Sequence, residues 1–509
     1  MRISLFHKNL TLLQKAGYIL GPVLAFIIII FANPDPANPV VGYTAGLALW
    51  MAVWWITECV PLPVTALIPV ALFPIFGIMN GKLAASLYFN HVIFLFLGGF
   101  LVAIAMEKWN LHRRIALFTL MIFGVKPGRI LFGFMAVTAF LSMWISNTAT
   151  TMMMVPIAMS VILNLETFLK PREVKRYSIG LLLGIAYSSS IGGIATLIGT
   201  PPNPAFIRIF AISFPDAPEI TFAQWFFFAL PVSVVFLLIA WFVLYLIFGR
   251  IEFNLDRNYF RNSYATLGKI RREEVLVLIV FVTLALLWLT RVPIVMGSVR
   301  IPGWSEIFPH PEYINDGVVA VLVAMLLFII PARGECRILK WEDTKKLPWG
   351  VIILFGGGFA LSGGFKDSGL SEWVGQQLYG LKELPPVLTI ASLTTIVTFL
   401  TELTSNTATS QMVLPILAAL GTSIGTNPLL LMVPATLASS FAFLMPVATP
   451  PNAIIFGTGR ITVMDMVKVG IIFEFIGILV ITIGIILLGS ILGIDMSQFP
   501  EWAGSTGLP

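Results

Sequence analysis

The sequence predicts an all-α, polytopic membrane protein, and three observations lead to this class. Of the 509 residues, 58% are hydrophobic and only 11% are charged, whereas soluble domains carry roughly 25% charged residues. The apolar residues form segments with the length of membrane-spanning helices, and several short motifs occur twice in the same order. This composition excludes a soluble enzyme, a nucleic-acid-binding protein and a disordered chain, because too few polar residues are present to cover a soluble surface.

Signals for soluble chemistry are missing as well. The two cysteines, Cys59 and Cys336, are too few for a disulfide framework, and the four histidines have no metal-ligand spacing. The sequence also lacks the HExxH, CxxC, Walker A and GxGxxG motifs. We therefore expect no enzymatic activity. The net charge of +6 is explained by basic cytoplasmic loops rather than by nucleic-acid binding.

The apolar segments predict eleven transmembrane helices. They cover residues 17–32, 41–57, 62–79, 90–106, 178–212, 221–249, 274–291, 316–331, 347–362, 428–457 and 467–493. Two further apolar stretches, 128–165 and 386–424, are nearly twice as long and have polar residues at their centres. Each is predicted to be a re-entrant hairpin, which enters the membrane and leaves it on the same side. The first segment could be a signal peptide, but no small-residue cleavage site follows it, so we expect a retained helix.

The distribution of basic residues predicts the orientation. With a cytoplasmic N-terminus, 25 of the 31 lysines and arginines fall in six cytoplasmic segments, which are 1–16, 107–130, 166–177, 250–273, 332–346 and 458–468. This bias follows the positive-inside rule and predicts an external C-terminus for a protein of the cell membrane. It also supports the hairpins, since a full crossing at either one would scramble the distribution. Residues 109–121 are predicted to form an amphipathic helix on the inner membrane surface.

The chain contains an internal repeat. Three motifs recur in the same order: LFLGGF (95–100) with LFGGGF (354–359), SNTAT (146–150 and 405–409), and TPPN (200–203 and 449–452). We therefore predict two repeats, at residues 40–250 and 273–495. The remaining parts are an N-terminal segment with the first helix (1–39), a cytoplasmic linker (251–272) and a C-terminal tail (496–509).

The charges that flank the hairpins predict that the repeats are inverted. Basic residues bracket the first hairpin on both sides, so it opens to the cytoplasm, whereas no lysine or arginine occurs from 383 to 459. The second hairpin is therefore expected to open to the outside. Inverted-topology repeats are the architecture of secondary transporters, whose sites lie near the membrane midplane where helices are broken.

The repeated motifs carry groups that bind ions in such a place. At a hairpin tip the backbone leaves the helical ladder, and its free polar groups need partners. Helix N-termini at the tip favour an anion, and serine, threonine and asparagine donate to carboxylates or present oxygens to a cation. A single Ser-Asn-Thr would be interpreted as a buried polar kink, but two symmetric pairs of broken elements favour a ligand site.

Charged residues are almost absent from these elements. None occurs in 131–165 or 177–207, and Glu402 is the only one in 384–459. A proton relay or an arginine clamp is therefore not supported, and an anionic substrate would be neutralised by bound cations, helix ends and hydroxyl groups. Glu402 either raises the cation affinity or faces a wet lumen.

The paired motifs, together with WITECVPLPVTALIP (55–69) and SSFAFLMPVATPPNAIIF (439–456), resemble the divalent anion/Na⁺ symporter family. This family includes the bacterial INDY-type transporters and the animal sodium-dicarboxylate, citrate and sulfate cotransporters, and the resemblance covers essentially the whole chain. It implies a homodimer of eleven transmembrane helices plus two opposed hairpins per subunit. It also implies an elevator mechanism, in which a transport domain moves against a scaffold domain.

The resemblance also implies the site residues. The first Na⁺ site would be formed by Ser142, Ser146, Asn147 and Gly199. The second Na⁺ site would be formed by Thr401, Thr404, Ser405, Asn406, Ala448 and Pro450. The substrate carboxylates would meet Asn147, Thr148, Thr200, Asn406, Thr407 and Thr449.

The function that follows is Na⁺-coupled symport of C4-dicarboxylates such as succinate, malate and fumarate, with two or more Na⁺ ions. The expected partners are a small dianionic carboxylate, Na⁺, the lipid bilayer and a second copy of the chain. The alternatives are a citrate or sulfate symporter, or a Na⁺-independent dicarboxylate exchanger on the same fold. No lysine or arginine lies beside either SNTAT motif, which favours Na⁺ coupling. An anion channel would need a continuous polar pore, and an intramembrane hydrolase would need a nucleophile with a base or a metal.

We predict that impermeant thiol reagents reach Cys336 only from the cytoplasmic side. Its loop carries five basic residues, Arg333, Arg337, Lys340, Lys345 and Lys346, and should remain inside. Labelling of intact cells and of inside-out vesicles measures this, with a Cys336→Ser variant to report the signal from Cys59. Labelling of Cys336 in intact cells would overturn the orientation of the second repeat.

Overall fold

The computed structural model describes residues 11–31, 33–253, 255–256, 258–296, 299–334, 336–377, 380, 385–496 and 498–504. Parts of the predicted N-terminal segment (1–10) and C-terminal tail (505–509) lie outside the described residues, as do Lys382 and the side chain of Cys336. Within the described residues the chain is mostly helical, and its strands form two short hairpins.

Among the described residues, the first half of the chain forms twelve α-helices and the second half eleven. They are α1 (Leu12–Phe31), α2 (Pro39–Thr57), α3 (Leu62–Thr65), α4 (Ile68–Ile75), α5 (Gly81–Ser86), α6 (His91–Lys108), α7 (Leu111–Phe123), α8 (Pro127–Ser142), α9 (Asn147–Leu165), α10 (Pro171–Gly193), α11 (Pro202–Ser213) and α12 (Phe222–Leu244). The last of these continues into a π-helical turn, Tyr245–Gly249.

The second half, within the same described residues, contains these eleven helices. They are α13 (Tyr259–Ala265), α14 (Arg272–Leu289), α15 (Asp316–Ile329), α16 (Trp349–Ser368), α17 (Leu370–Gln377), α18 (Pro386–Thr401), α19 (Asn406–Ser423), α20 (Leu429–Ala438), α21 (Pro450–Phe456), α22 (Val463–Leu488) and α23 (Glu501–Gly504). The strands pair antiparallel as β1 (Ile294–Met296) with β2 (Val299–Ile301), and β3 (Pro331–Ala332) with β4 (Cys336–Arg337).

Both double-length apolar stretches are helix–turn–helix units, as the polar residues at their centres predict. The first hairpin consists of α8 and α9, and the second hairpin consists of α18 and α19. The helices α8 and α18 have 16 residues each and begin with a proline in the first turn, where its missing N–H is harmless. In both hairpins the second helix begins at the asparagine of SNTAT.

The helices broken at the TPPN motifs form the centre of the molecule. Helix α10 ends at Gly193 and α11 begins at Pro202, while α20 ends at Ala438 and α21 begins at Pro450. Every residue of α10 from Tyr177 to its end is buried, as is every residue of α20. A helix that is buried all round belongs to the interior of a bundle. The predicted breaks therefore lie in the protein core, away from lipid.

Two details differ from the sequence prediction. The segment 62–79, predicted as one span, is divided into the short helices α3 and α4, and prolines in the first turn and near the end of α4 limit its continuation. Helix α7 forms where the amphipathic helix was predicted, but Arg114 is not on a solvated face. It is buried and paired with Glu274, because α7 lies against the segment that leads into α14.

The described helices make this a multi-pass membrane protein. Seven helical segments are long and apolar enough to cross a membrane: Leu12–Phe31, Pro39–Thr57, Gly81–Lys108, Asn147–Leu165, Phe222–Gly249, Trp349–Ser368 and Val463–Leu492. Five shorter apolar helical segments accompany them: Leu62–Ile75, Pro127–Ser142, Asp316–Ile329, Pro386–Thr401 and Leu429–Ala438. The shorter segments include the first arm of each hairpin.

Ion pairs between elements gather at two opposite ends of the helices. One set joins residues that the sequence places inside: Lys108 with Asp343 at 2.7 Å, Arg114 with Glu274, and Arg460 with Glu166. The other set joins residues that the sequence places outside: Arg291 with Asp316 at 2.6 Å and with Glu219 at 3.1 Å. Each of these pairs connects residues with the same predicted side.

Candidate functional site

The tip of the first hairpin is held by Ser142, the last residue of α8. Its hydroxyl oxygen lies 2.5 Å from Oδ1 of Asn147 and 2.7 Å from the carbonyl oxygen of Ser189. Ser146 caps α9 by accepting the N–H of Ala149 at 3.2 Å, as a helix N-cap does. These contacts fix the Asn147 side chain at the N-terminus of α9, against the end of α10.

The first TPPN break lies directly beside this tip. The Thr196 hydroxyl donates to the Met143 carbonyl at 2.5 Å, and Nδ2 of Asn203 donates to the Thr196 carbonyl at 2.7 Å. A Cβ atom at Gly199 would collide with the Gly193 carbonyl oxygen and would lie 2.9 Å from that of Ser142. Only glycine permits this approach. The break thereby brings Ser142, Asn147 and Gly199 of the predicted first cation site together.

The second tip repeats the arrangement of the first. The Thr401 hydroxyl lies 2.9 Å from Oδ1 of Asn406 and 2.9 Å from the Ser439 carbonyl. Nδ2 of Asn452 donates to the carbonyls of Ala442 and Met445, both at 3.0 Å. These carbonyls precede their asparagine by ten and seven residues, as Gly193 and Thr196 precede Asn203. The two halves therefore share hydrogen bonds as well as motifs.

The two breaks also meet each other. The Thr200 hydroxyl lies 3.3 Å from that of Ser440, which joins the first TPPN motif to the end of α20. Thr449 has a different role, because its hydroxyl caps α21 by accepting the N–H of Asn452 at 3.3 Å. The two predicted groups of substrate ligands thus belong to one central region of the protein.

The predicted ligands are not all in the same position. Asn147, Thr148 and Asn406 are half-buried, whereas Thr200, Thr407 and Thr449 are buried. Thr404 bonds to the hydroxyl of Thr409 and Ala448 is buried, while Pro450 is exposed at the start of α21. Among the hydrogen bonds of the described residues, none joins the side chain of Ser405 to the other predicted ligands of the second cation site.

Glu402 does not face a wet lumen. Its side chain is 4% exposed and accepts the backbone N–H groups of Leu444 at 2.7 Å and Met445 at 3.1 Å. A second buried acid, Glu474 of α22, accepts the N–H of Phe443 at 2.9 Å. Sequence reasoning missed this residue, although an acidic side chain within an apolar helix is a functional signal in a membrane protein.

The chemistry of the site suits a dianion with monovalent cations. Helices α9 and α19 direct their N-termini at the site, and such ends attract negative charge. The carbonyl and hydroxyl oxygens around the tips are ligands for hard cations. No group of three or more His, Cys, Asp or Glu residues that could bind a metal occurs in the described part of the chain.

A cavity of about 730 Å³ leads to the first tip. Hairpin residues such as Ile145, Ala149 and Thr150 line it together with Glu107, Lys108, His112, Arg113 and Lys346. Burial lowers the pKa of His112, against a smaller opposing effect of the Met106 carbonyl, so lysine and arginine supply the positive charge. The three lysine and arginine side chains of this lining outnumber its one carboxylate.

The second hairpin differs at its tip, because the cavity of about 600 Å³ that borders α19 lies at the other end of that helix, between Ala418, Ala419, Thr422 and Ser423 and the end of α16 at Lys366 and Asp367. Helix α19 packs against α16 so closely that a Cβ atom at Gly358 would collide with the amide of Gln411. The residue at the position of Gln411 in the first hairpin is Met152, which lines the cavity. The two hairpins are therefore alike internally but differ in what they pack against.

Comparison with known proteins identifies close relatives. The family model described as "sodium:sulfate symporter transmembrane region" matches residues 14–494. The sodium-dependent dicarboxylate transporter SdcS of Staphylococcus saprophyticus is 41% identical over 503 residues, which cover 97% of this chain and 95% of that protein. SdcS of Staphylococcus aureus is 41% identical over 500 residues, with 95% and 93% covered.

Two solved transporter structures share the fold at low sequence identity. MtrF of Neisseria gonorrhoeae, described with a class of antimetabolite efflux pumps, has a TM-score of 0.52 at 15% identity, with 85% of this chain and 96% of that chain covered. The YdaH transporter of Alcanivorax borkumensis has a TM-score of 0.56 at 13% identity, with 84% and 90% covered.

We predict that Asn203→Ala and Asn452→Ala destabilise the protein to a similar extent. Each removes the side-chain donor from buried carbonyl groups at one break, which should lower the unfolding free energy by about 1–3 kcal/mol. Thermal unfolding of the purified protein in detergent measures this. Asn164→Ala, at an exposed position of α9, is the control and should leave the midpoint nearly unchanged. A normal midpoint for only one of the two variants would show that the breaks are not held alike.

Proposed function

The chain belongs to the sodium:sulfate symporter family, and from this premise we propose that it is a secondary active transporter for Na⁺-coupled symport of C4-dicarboxylates. The observation that carries the proposal is the pair of equivalent tip-and-break units, each with a hydroxyl–asparagine contact at the tip and an asparagine clamp at the break. The relatives named sodium-dependent dicarboxylate transporters favour dicarboxylates over citrate or sulfate.

The two carboxylates of the substrate are proposed to meet the two tips. Asn147, Thr148 and Thr200 would receive one carboxylate, and Asn406, Thr407 and Thr449 the other. The contact between Thr200 and Ser440 at 3.3 Å supports this arrangement, because it brings the two breaks together. Asparagine and threonine donors at helix N-termini recognise a dianion without a fixed positive charge.

The cation sites are proposed to lie one at each tip. Ser142, Ser146, Asn147 and Gly199 would form the first site. Thr401, Thr404, Ser405, Asn406, Ala448 and Pro450 would form the second. In both sites the asparagine oxygen lies within 3 Å of a hydroxyl that also contacts a carbonyl oxygen. A bound Na⁺ would compensate the substrate charge, which links cation binding to substrate binding.

The difference between the hairpins supports alternating access. The first tip borders a cavity lined by more basic than acidic residues, whereas beside the second tip α19 packs against α16 and the cavity along α19 lies at its other end. We interpret this as a conformation open to the cytoplasm. In the opposite conformation the two hairpins would exchange these environments. Such a movement would be the elevator mechanism. The proposed subunit has eleven crossings, two opposed re-entrant hairpins, a cytoplasmic N-terminus and an external C-terminus, and two subunits form a homodimer through their scaffold domains.

The alternative is Na⁺-independent exchange of dicarboxylates. An exchanger on this fold would need fixed positive charge in place of the cations. Between the start of each hairpin and its tip, the only lysine or arginine is Arg129. Arg129 lies in the first turn of α8, at the end of that helix far from the tip. The site therefore favours symport over exchange.

We predict saturable uptake of radiolabelled succinate into proteoliposomes that requires Na⁺ and rises with more than one Na⁺ ion per cycle, because two cation sites are proposed. Uptake is measured under Na⁺, Li⁺, K⁺ and choline gradients, with excess unlabelled malate, fumarate, citrate or sulfate as competitors. Malate and fumarate should compete, and citrate and sulfate should not. Full uptake with choline in place of Na⁺ would contradict symport and favour exchange.

We also predict that Asn147→Ala and Asn406→Ala each weaken dicarboxylate affinity by about tenfold to a hundredfold, the effect of losing one charge-assisted hydrogen bond of about 1.5–3 kcal/mol. The apparent affinity is measured by uptake at saturating Na⁺. Asn80→Ala is the control, since Asn80 is likewise an asparagine at a helix N-terminus but lies exposed, as the N-cap of α5. A normally abundant Asn406→Ala protein that transports like wild type, beside an inactive Asn147→Ala protein, would refute the two-tip site.

A further inference from the structure

Two carboxyl groups lie in contact beneath the second tip. Glu402 is located in the turn between α18 and α19, and Glu474 is located in the middle of α22. Their side chains are 4% and 0% exposed, and the carboxyl groups contact each other. Acidic side chains buried at this depth are rare in membrane proteins and have a function there.

The pair binds three consecutive backbone N–H groups. Glu474 accepts the N–H of Phe443, and Glu402 accepts those of Leu444 and Met445, at distances from 2.7 to 3.1 Å. These residues belong to the non-helical stretch between α20 and α21, where the backbone has no helical partners. An N–H group left without a partner in this setting would strongly destabilise the folded protein. The carboxyl pair therefore determines the path of the chain at the second break.

The same stretch leads into the second cation site. The carbonyl of Ser439 contacts Thr401, and the carbonyl of Met445 accepts from Asn452. The backbone N–H groups of residues 443–445 are thus bound by carboxyl groups. Two carbonyl groups of the same non-helical stretch, those of Ser439 and Met445, are bound by a hydroxyl and an amide group. Ala448 follows three residues after Met445, so a shift of the stretch would displace this predicted ligand of the second cation site.

The helix break of the first repeat is held by a different hydrogen bond. Ile194 in the first repeat and Phe443 in the second are equivalent positions, because each lies nine residues before the asparagine of its TPPN motif. The Ile194 carbonyl accepts the indole N–H of Trp225 at 3.0 Å, whereas the Phe443 N–H donates to Glu474. Met143 occupies the position of Glu402. The carboxyl pair is consequently specific to the second repeat.

No basic side chain compensates the pair. The adjacent helices α12, α18 and α20 contain no charged residue, and those of α10 and α22 other than Glu474 lie in the first two turns. Tyr187 faces the pair, and its hydroxyl donates to the Phe443 carbonyl at 2.8 Å. No N–H or hydroxyl group of the described residues donates to Oε2 of Glu474. Two negative charges in contact would repel, whereas a carboxylic acid donates a hydrogen bond to a carboxylate.

We propose that Glu474, through its contacts with Glu402 and the Phe443 N–H, is a positioning residue for the second cation site. It controls Na⁺ affinity without contacting the substrate. The inference rests on the proposed function, since it concerns a cation site of the symporter. It assigns a role to a residue of α22, a helix that contributes no predicted ligand.

The test compares Glu474→Leu with Glu474→Gln in proteoliposomes. Leucine removes both contacts, so the Na⁺ concentration for half-maximal uptake should rise about tenfold or more. Glutamine accepts from Phe443 and donates to Glu402, so this variant should stay within about threefold of wild type. The dicarboxylate KM at saturating Na⁺ should be unchanged in both. Thr482→Val is the control, because Thr482 is buried on the same helix and its hydroxyl donates to the Ile478 carbonyl one turn earlier.

The outcomes separate this inference from the proposed function. Wild-type uptake without Na⁺ dependence would contradict the symporter itself. Na⁺-dependent wild-type uptake with a normal Na⁺ requirement in Glu474→Leu would overturn only the positioning role. Glu474→Ala is the second apolar variant if the leucine protein does not fold. A tenfold increase in the Na⁺ requirement of Glu474→Gln would also overturn the proposal, because its hydrogen bonds remain possible.

Discussion

The structure depends on one constraint: backbone groups freed at a helix break inside a bilayer need partners from the protein or from a bound ligand. Both TPPN motifs create such breaks, and both breaks lie in the core rather than at the lipid surface. Asn203 and Asn452 supply donors to the freed carbonyls. Asn147 and Asn406 remain half-buried at the tips, in keeping with the ligand role proposed for them. A site of neutral oxygen and amide groups is therefore a consequence of how the helices are interrupted.

The same constraint is met differently in the two repeats. In the first, an indole N–H satisfies a carbonyl, and in the second, carboxyl groups satisfy N–H groups. The second break therefore contains acidic side chains that the first lacks, although the tips have equivalent contacts. The two proposed cation sites can in this way differ in affinity although their ligand types are the same. Such a difference would give the binding and release of cations an order.

The hairpins show how internal symmetry and conformational asymmetry coexist. Each hairpin has its own contacts between tip and break, and these contacts are equivalent in the two repeats. The packing of α19 on α16 and the cavity beside α9 concern only the surfaces between a hairpin and its surroundings. We propose that movement at these surfaces changes access without rebuilding the site.

The sequence by itself determined the helical membrane class, the repeat, and the positions of all four interruptions, because proline pairs and polar clusters in apolar segments act through local backbone chemistry. The first helices of both hairpins begin within one residue of the predicted boundaries for the same reason. Only the tertiary structure decided the environment of Glu402, the partnership with Glu474 and the burial of Arg114, because each depends on residues far apart in the chain. The division of segment 62–79 and the different packing of the two hairpins also required it. Sequence motifs identify which groups lose their helical partners, but three-dimensional packing selects the new partners they bind.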